Sequence, residues 1–234
     1  MVFILSVEGN IGSGKSTILN YLKENNQNSN IIFLKEPVDK WDKVKDIEGK
    51  TLLENFYQDS KKYAFMFQIM AFATRMQLLK DTIKNNPQCK MIICERSILA
   101  DQQVFASMLH YDGLIDNMGI SIYTTMANNY LKDFPLNGII YIDAEPEICK
   151  KRIGKRNRTG EAGIELSYLK KCKKYHDEWL NNYPKFKKVP ENNPNATHIL
   201  HIKTNENASF DISNPNDISN KWLQQIDEYL RSFE

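Results

Sequence analysis

Short apolar runs recur along the chain, and segments with helical spacing lie between them. The runs are FILSV (3–7), IIFL (31–34), MIIC (91–94), GIIYI (138–142) and HILHI (198–202). They are short and rich in β-branched residues, as is typical of strands buried on both faces. Their alternation with helices predicts an α/β fold with a doubly wound, five-stranded parallel sheet. Ligands of such sheets bind beyond the carboxyl ends of the strands, so residues that follow each run are candidate site residues.

The longest helical pattern runs from about Ser60 to Lys84, and its first half is apolar nearly all round, which is typical of a buried helix. Two further helices are predicted at 146–154 and 165–182, and an Asn/Pro-rich connection is expected at 190–197. The last pattern places five large residues at helical spacing: Ile218, Trp222, Ile226, Tyr229 and Phe233. We therefore expect the C-terminal segment to pack on the body of the protein.

The composition is typical of a globular protein, with 41% hydrophobic and 26% charged residues. A chain of 234 residues is within the range of one α/β domain, so a single domain over 1–234 is expected. Thirty-one Lys and Arg against 29 Asp and Glu leave a net charge of +2, which argues against a nucleic-acid partner. The N-terminal apolar run is too short to span a membrane, and no membrane association is expected.

The four cysteines are scattered and form no C-x-x-C pair, so neither a zinc site nor a disulfide framework is indicated. Free thiols are typical of a reducing compartment. Because no transit peptide precedes the first strand, a cytoplasmic location is expected.

A glycine-rich loop follows the first predicted strand and opens a predicted helix. Its sequence G-N-I-G-S-G-K-S fits G-x-x-x-x-G-K-[ST], the phosphate-binding P-loop, in the context that this motif requires. Backbone N–H groups of such a loop surround phosphate oxygens, Lys15 reaches the β- and γ-phosphates, and the Ser16 hydroxyl binds Mg²⁺. ATP and Mg²⁺ are the predicted cofactors; a glycine-rich turn without phosphate is the alternative. The candidate residues are Gly9, Asn10, Ile11, Gly12, Ser13, Gly14, Lys15, Ser16 and Thr17.

Carboxylates stand at the ends of the next two strands. Glu36 follows the second strand and is kept out of any helix by Pro37, while Glu95 and Arg96 follow the third. Phosphoryl transfer to a hydroxyl needs a carboxylate to receive the proton and cations around the transferred group. We expect Glu36 to be this base and Arg96 to keep it ionised and touch the acceptor. Glu95 is expected to orient the water shell of Mg²⁺; the alternative for each carboxylate is a strand-end turn residue.

A dense basic cluster follows the fourth strand: Lys150, Lys151, Arg152, Lys155, Arg156 and Arg158. Taken alone, it fits a nuclear-localisation signal or a solvated face. In a P-loop protein, Arg152 and Arg156 can share a helix face, and Arg158 precedes a Thr-Gly pair where the chain can bend. This arrangement predicts an arginine-bearing lid, at about 152–163, that stabilises charge on the γ-phosphate.

The long helix carries the candidate acceptor pocket. Gln68, Ala71 and Arg75 are spaced to share one face. A buried guanidinium needs a partner, for which Asp101 is the candidate, and Phe105 lies four residues beyond it. An amide, an Arg–Asp pair and an aromatic ring suit a flat heterocycle with donors and acceptors on its edge. Ordinary polar positions on a half-exposed helix are the alternative.

Several short motifs match one enzyme family in the same order. They are E-G-N-I-G-S-G-K-S-T at 8–17, E-P-V-x-x-W at 36–41, Tyr57, F-Q at 67–68, E-R-S at 95–97, Asp101, F-A at 105–106 and R-x-x-x-R-x-R-x-x-E at 152–161. With these motifs the chain resembles the deoxynucleoside kinase family, close to its deoxycytidine and deoxyguanosine branch. The resemblance implies a homodimeric enzyme of nucleotide salvage that phosphorylates a deoxynucleoside with a nucleoside triphosphate.

The resemblance also assigns roles to residues. Those matching Glu36 and Arg96 act on the acceptor 5′-hydroxyl, and those matching Tyr57 and Glu161 bind the 3′-hydroxyl. The residues around the base are Gln68, Asp101 and Phe105, which read and stack it, and the apolar walls Val38, Trp41 and Phe67. Ala71, Arg75 and Asp101 resemble the set in enzymes for deoxycytidine and deoxypurines, whereas thymidine-preferring relatives lack the Arg–Asp pair. Asn157 and Gly160 depart from close relatives within the lid.

Two other functions fit parts of this pattern. A thymidylate kinase-like nucleotide kinase shares the P-loop and the strand-end E-P but must bind an acceptor phosphate, and E-R-S with the Arg75–Asp101 pair argues against it. A non-catalytic accessory subunit with a kinase fold, such as that of respiratory complex I, keeps the architecture without turnover. Intact Lys15, Glu36 and Arg96 argue against the second.

Overall fold

The computed structural model describes residues 2–158, 160–161, 163–182 and 198–233. Within these ranges five parallel strands form a sheet in the order β2-β3-β1-β4-β5. The strands are β1 (Phe3–Glu8), β2 (Ile31–Leu34), β3 (Met91–Glu95), β4 (Gly138–Asp143) and β5 (His198–Lys203). The predicted α/β class and five-stranded parallel sheet are confirmed. Because β1 is central and pairs Val7 with Glu95 of β3 and Ile140 of β4, the carboxyl ends of these three strands lie side by side.

Helices cover both faces of the sheet. They are α1 (Lys15–Asn25), α2 (Val38–Trp41), α3 (Leu52–Gln58), α4 (Ser60–Asn85), α5 (Ile98–Ala100), α6 (Ser107–Tyr111), α7 (Asn117–Asp133), α8 (Pro146–Arg156), α9 (Leu166–Asn181) and α10 (Ile218–Arg231), with a π-helical segment, Asp101–Ala106, between α5 and α6. The helices predicted at 146–154 and 165–182 correspond to α8 and α9. The connection predicted at 190–197 lies outside the described residues. No helix in the described ranges is long and apolar enough to cross a membrane.

The core lies on both sides of the sheet. On one side, α1 and α10 pack on the strands through buried residues such as Leu19, Trp222 and Ile226. On the other, α4, the π-helical segment and α9 pack through residues such as Leu79 and Trp179. The C-terminal helix therefore packs on the body, as its spacing predicts, and both faces of the central strands are covered.

Helix α4 has the predicted position but not the predicted burial. Ala64, Gln68 and Phe72 are buried along one face, whereas the Met66 side chain is 52% exposed. The expectation that the first half is buried nearly all round is wrong, because α3 and α7 pack against part of the helix only. The large apolar side chain of Met66 is left on the surface.

Candidate active site

The P-loop runs from the end of β1 to the start of α1 and packs tightly on β4 and α8. Gly12 has a φ of +80°, and a Cβ there would lie 2.6 Å from the Cys149 carbonyl oxygen; a Cβ at Gly9 would overlap the carbonyl oxygen of Ile142. Glycine is therefore required for this close approach. The Lys15 ammonium donates to the Asn10 carbonyl oxygen at 2.7 Å, and burial lowers the pKa of Lys15 to about 8. Lys15 is held at the loop, where the phosphates of a nucleotide would be surrounded.

One cavity of about 640 Å³ joins the loop to the other strand ends. Its lining includes nearly all the predicted site residues: Ile11, Gly12, Ser13, Gly14, Lys15, Ser16, Thr17, Glu36, Val38, Trp41, Tyr57, Phe67, Gln68, Ala71, Arg75, Glu95, Arg96, Asp101, Phe105, Arg152, Arg156, Arg158 and Glu161. Gly9 and Asn10 are buried and are not part of this lining. The Asn10 side chain donates to the Leu169 carbonyl oxygen at 2.8 Å, so it ties the loop to α9.

A network of four charged side chains lies at the centre of the cavity. The Arg75 guanidinium donates to Asp101 with one nitrogen and to Glu36 with another. Arg96 approaches the same Glu36 oxygen, with its Nε at 3.4 Å. Burial alone would raise the pKa of Glu36, but Arg75, Arg96 and Lys15 outweigh it and bring this pKa to about 2. Glu36 is therefore ionised at neutral pH.

Arg96 has an unusual backbone. Its φ of +67° is in the left-handed region, which costs about 1–2 kcal/mol for a residue with a Cβ. Its guanidinium donates to the Gly9 carbonyl oxygen at 3.2 Å and stacks over the Phe105 ring at 4.4 Å from the centroid. This geometry turns the Arg96 side chain back across the end of β1 towards Glu36.

Two oxygen ligands suited to Mg²⁺ lie together beside the P-loop. The Ser16 hydroxyl donates to Glu95, and the second Glu95 oxygen accepts from the Glu36 backbone N–H at 3.5 Å. The described residues contain no cluster of three or more His, Cys, Asp or Glu side chains of the kind that holds a metal. Hard oxygen ligands in small number are typical of Mg²⁺ sites, where water and phosphates complete the shell. Ser16 and Glu95 therefore fit this ion.

Apolar and aromatic side chains line the other end of the cavity. The Trp41 indole donates to the Thr74 hydroxyl at 2.9 Å and packs edge-on against Phe67, 5.3 Å between centroids. Gln68 is 2% exposed, and its side-chain amide lies beside the buried Tyr123 hydroxyl. Tyr57 lines the same end, and burial raises the pKa of its hydroxyl. This end combines flat apolar walls with a buried side-chain amide.

A family model for deoxynucleoside kinases matches residues 5–227 of the chain. The chain belongs to the deoxynucleoside kinase family. A fowlpox virus (strain NVSL) protein described as a probable deoxycytidine kinase is 37% identical over 191 residues, covering 78% of this chain and 74% of that protein. The deoxycytidine kinase of Homo sapiens is 32% identical over 200 residues, covering 75% and 74%. The mitochondrial deoxyguanosine kinase of Xenopus laevis is 31% identical over 194 residues, covering 75% and 72%.

These findings confirm the resemblance and make the protein a deoxynucleoside kinase, a transferase of nucleotide salvage. In this deoxynucleoside kinase the arginines of the predicted lid make two kinds of contact. Arg152 donates to three carbonyl oxygens, those of Ser13 at 3.0 Å, Thr204 at 2.8 Å and Glu206 at 2.9 Å, so it braces the P-loop. Arg156 and Arg158 both pair with the buried Glu161. Thr159 and Ala162 of the predicted lid lie outside the described residues.

Sequence reasoning missed one wall of the kinase cavity. Beyond β5, the chain contributes a segment that the motifs do not mark: Thr204, Glu206, Asn207, Ala208 and Phe210, with Trp222 of α10 beside it. The rule that ligands bind past strand ends applies to β5 as well and would have directed attention to Thr204. No motif, however, predicts that α10 brings Trp222 to the same place.

Proposed function

We propose that this deoxynucleoside kinase transfers the γ-phosphoryl group of ATP, with Mg²⁺, to the 5′-hydroxyl of a deoxyribonucleoside. We propose deoxycytidine or a deoxypurine nucleoside, rather than thymidine, as the acceptor. The observation that carries the proposal is the position of Glu36. It lines the same cavity as Lys15, and Arg75 pairs with both Glu36 and Asp101, the carboxylate proposed to read the base.

The residues in this cavity can carry out the whole phosphoryl transfer. The 5′-oxygen attacks the γ-phosphorus, the bond to the β-γ bridging oxygen breaks, ADP leaves, and the hydroxyl proton passes to Glu36. Because the transition state is loose and proton transfer is late, an ionised carboxylate with a low pKa serves by orienting the hydroxyl. Lys15 and Arg96 provide cations near the transferred group. Mg²⁺, held by Ser16 and through water by Glu95, would neutralise charge on the phosphates when bound.

We propose that Gln68, Arg75 and Asp101 select the base of the acceptor nucleoside. Gln68 offers a side-chain amide in the cavity lining, and Arg75 and Asp101 offer a donor and an acceptor held in a fixed pair. Such groups suit a base edge that carries both an amino group and a ring nitrogen or carbonyl. The relatives named for deoxycytidine and deoxyguanosine support this choice. Tyr57 and Glu161 are proposed to bind the 3′-hydroxyl.

The direct test is to incubate the protein with ATP, Mg²⁺ and each of the four deoxynucleosides, and separately with thymidine monophosphate. We expect turnover with deoxycytidine or a deoxypurine nucleoside and its loss when EDTA removes the metal. Phosphorylation of thymidine monophosphate alone would identify a thymidylate kinase instead. No turnover with any acceptor would favour a non-catalytic subunit.

The role of Glu36 has its own test. Glu36→Gln should lower kcat about 10²- to 10⁴-fold, the usual effect of a positioned base, while the circular dichroism spectrum stays unchanged. Glu228→Gln, an exposed change on α10, is the matched control and should keep normal turnover. Near-normal kcat in Glu36→Gln would refute the assignment.

We further propose that the chain acts as a single domain over 1–234 and as a homodimer in the cytoplasm. Its four cysteines are free thiols, in keeping with a reducing compartment. Helices α4 and α7 pack together and leave Met66, Met118 and Ile122 at least 45% exposed. Exposed apolar side chains on paired helices are typical of a subunit interface. Light scattering should give twice the chain mass, and Met66→Lys should reduce it.

A further inference from the structure

The last residue of β1, Glu8, has an acid side chain in the core. Glu8 is 0% exposed. One of its carboxylate oxygens accepts a hydrogen bond from the Ser97 backbone N–H at 2.7 Å, and the Ser97 and Ser6 hydroxyls lie beside the carboxylate. Burying a carboxylate is costly unless it is paired with a charge or accepts hydrogen bonds. The neighbour it contacts is the turn that follows β3.

That turn contains the left-handed residue Arg96. Two consecutive backbone N–H groups of the turn are bound by β1: the N–H of Arg96 donates to the Val7 carbonyl oxygen at 3.1 Å, and the N–H of Ser97 donates to the Glu8 side chain. A non-glycine residue keeps a left-handed φ only where its surroundings hold it. Two acceptors restrain this turn, the Val7 backbone carbonyl and the Glu8 side-chain carboxylate.

The restraint fixes where the Arg96 guanidinium lies. From this backbone the side chain reaches the Gly9 carbonyl oxygen and approaches Glu36 at 3.4 Å. If the turn relaxed to a right-handed φ, the Cα–Cβ bond would point elsewhere, and the guanidinium would leave the acceptor site. A displacement of about 1 Å in a catalytic group can cost about 100-fold in rate.

We propose that Glu8 is a positioning residue for the phosphoryl transfer reaction, which acts by holding the turn at Arg96–Ser97 so that Arg96 faces Glu36 and the acceptor hydroxyl. The proposal rests on the proposed function of Arg96. The hydrogen bond to Ser97, rather than the negative charge of Glu8, carries the effect. A competing explanation is that Glu8 is a buried counter-ion for Arg96, since burial raises the pKa of Glu8 and the Arg96 charge opposes that rise.

Two conservative variants separate these explanations. Glu8→Gln keeps the length and an acceptor oxygen for the Ser97 N–H but removes the charge. Glu8→Asp keeps the charge but is one methylene shorter and withdraws the acceptor. We expect Glu8→Gln to keep kcat within about threefold of wild type, and Glu8→Asp to lower it about 10- to 100-fold with a smaller change in the nucleoside KM. The opposite order, or equal losses in both, would overturn the proposal.

A second comparison shows whether Glu8 acts through Arg96. In an Arg96→Met background, Glu8→Asp should lower kcat no further than about twofold, because the group that it positions is gone. If the loss caused by Glu8→Asp is the same in both backgrounds, the residue stabilises the fold in general and the proposal fails.

Asn137, the residue before β4, offers a matched control because its side chain also binds a backbone group of β1. Its side-chain oxygen is a buried acceptor for the Ile4 backbone N–H at 2.9 Å, near the amino end of β1 and away from the cavity. Asn137→Ala should lower the Tm yet leave kcat unchanged when all assays are run well below each Tm. An active wild type with an unaffected Glu8→Asp would overturn this proposal alone. A wild type that phosphorylates no nucleoside would overturn it together with the proposed function.

Discussion

Arg75 forms buried ion pairs with two carboxylates of the cavity, so its removal should be costly. It is 8% exposed and lies between Asp101, 2% exposed, and Glu36, 18% exposed. Arg75→Met keeps much of the side-chain length but leaves two carboxylates without their shared cation. Removing one partner of a buried pair costs about 3–5 kcal/mol, whereas replacing both by apolar groups is often close to neutral. We expect the free energy of unfolding to fall by about 3–5 kcal/mol in the single variant.

The double variant Arg75→Met/Asp101→Ala should lose less than the sum of its two single changes, by about 1–3 kcal/mol. Urea unfolding followed by circular dichroism at pH 7 measures all four proteins. The loss in Arg75→Met should also grow as the pH rises above the ordinary pKa of an aspartate, because burial raises the pKa of Asp101 and the charges of Arg75 and Arg96 oppose this rise. Without Arg75 the folded state keeps a proton that the unfolded state releases, so raising the pH favours unfolding.

The same double variant tests base selection. If Arg75 and Asp101 select the base, the ratio of kcat/KM for thymidine to that for deoxycytidine should rise about 10-fold or more. Two results would refute this reasoning: single losses of stability that add within about 0.5 kcal/mol, and a nucleoside ranking that is the same as in wild type. The first would mean that the two side chains are not coupled, and the second that the pair is structural only.

Two further changes are accessible to the same unfolding measurements. Asp143→Asn should lower the free energy of unfolding by about 1 kcal/mol at pH 7. Burial raises the pKa of Asp143, but hydrogen bonds from His201 and Lys173 bring it to about 2. The stability that Asp143 contributes is therefore complete above about pH 4 and is lost as the pH falls through about 2. A difference between the variant and wild type that stays constant down to about pH 2 would contradict this prediction. Asn157 follows α8 with a left-handed φ of +47°. Asn157→Ala should therefore lower the free energy of unfolding by about 1 kcal/mol in thermal unfolding, and Asn157→Gly should leave it nearly unchanged. Equal losses in the two variants would contradict this prediction.

The parts of the fold that are set by local pattern could be predicted. Each β-branched apolar run became a parallel strand, and the P-loop lies between a strand and a helix as its motif requires. The contact between Arg75 and Asp101 was also foreseeable, because a buried guanidinium needs a carboxylate. These features depend on neighbours in sequence or on one strong pairing rule.

The remaining features depend on contacts that sequence spacing does not encode. Asp101 and Phe105 have the four-residue spacing of one face of an α-helix, yet they lie in a π-helical segment that packs against α9 and α4. Arg152 was expected at the γ-phosphate, and its three hydrogen bonds to backbone carbonyl oxygens could not be predicted. Two of these oxygens belong to a segment more than 50 residues away. Exposure of Met66 likewise follows from which neighbours α4 has, not from its own sequence.

The brace at Arg152 has a consequence for how the protein is made. The Thr204 hydroxyl also donates to the Ser13 carbonyl oxygen at 3.2 Å, a contact that closes a loop of 191 residues. The P-loop emerges from the ribosome before the segment after β5, which supplies part of its support. Contacts this distant form late, since the entropy of loop closure must be overcome first. A nascent chain that has not yet produced β5 would hold an intact phosphate-binding motif that is not yet a finished nucleotide site.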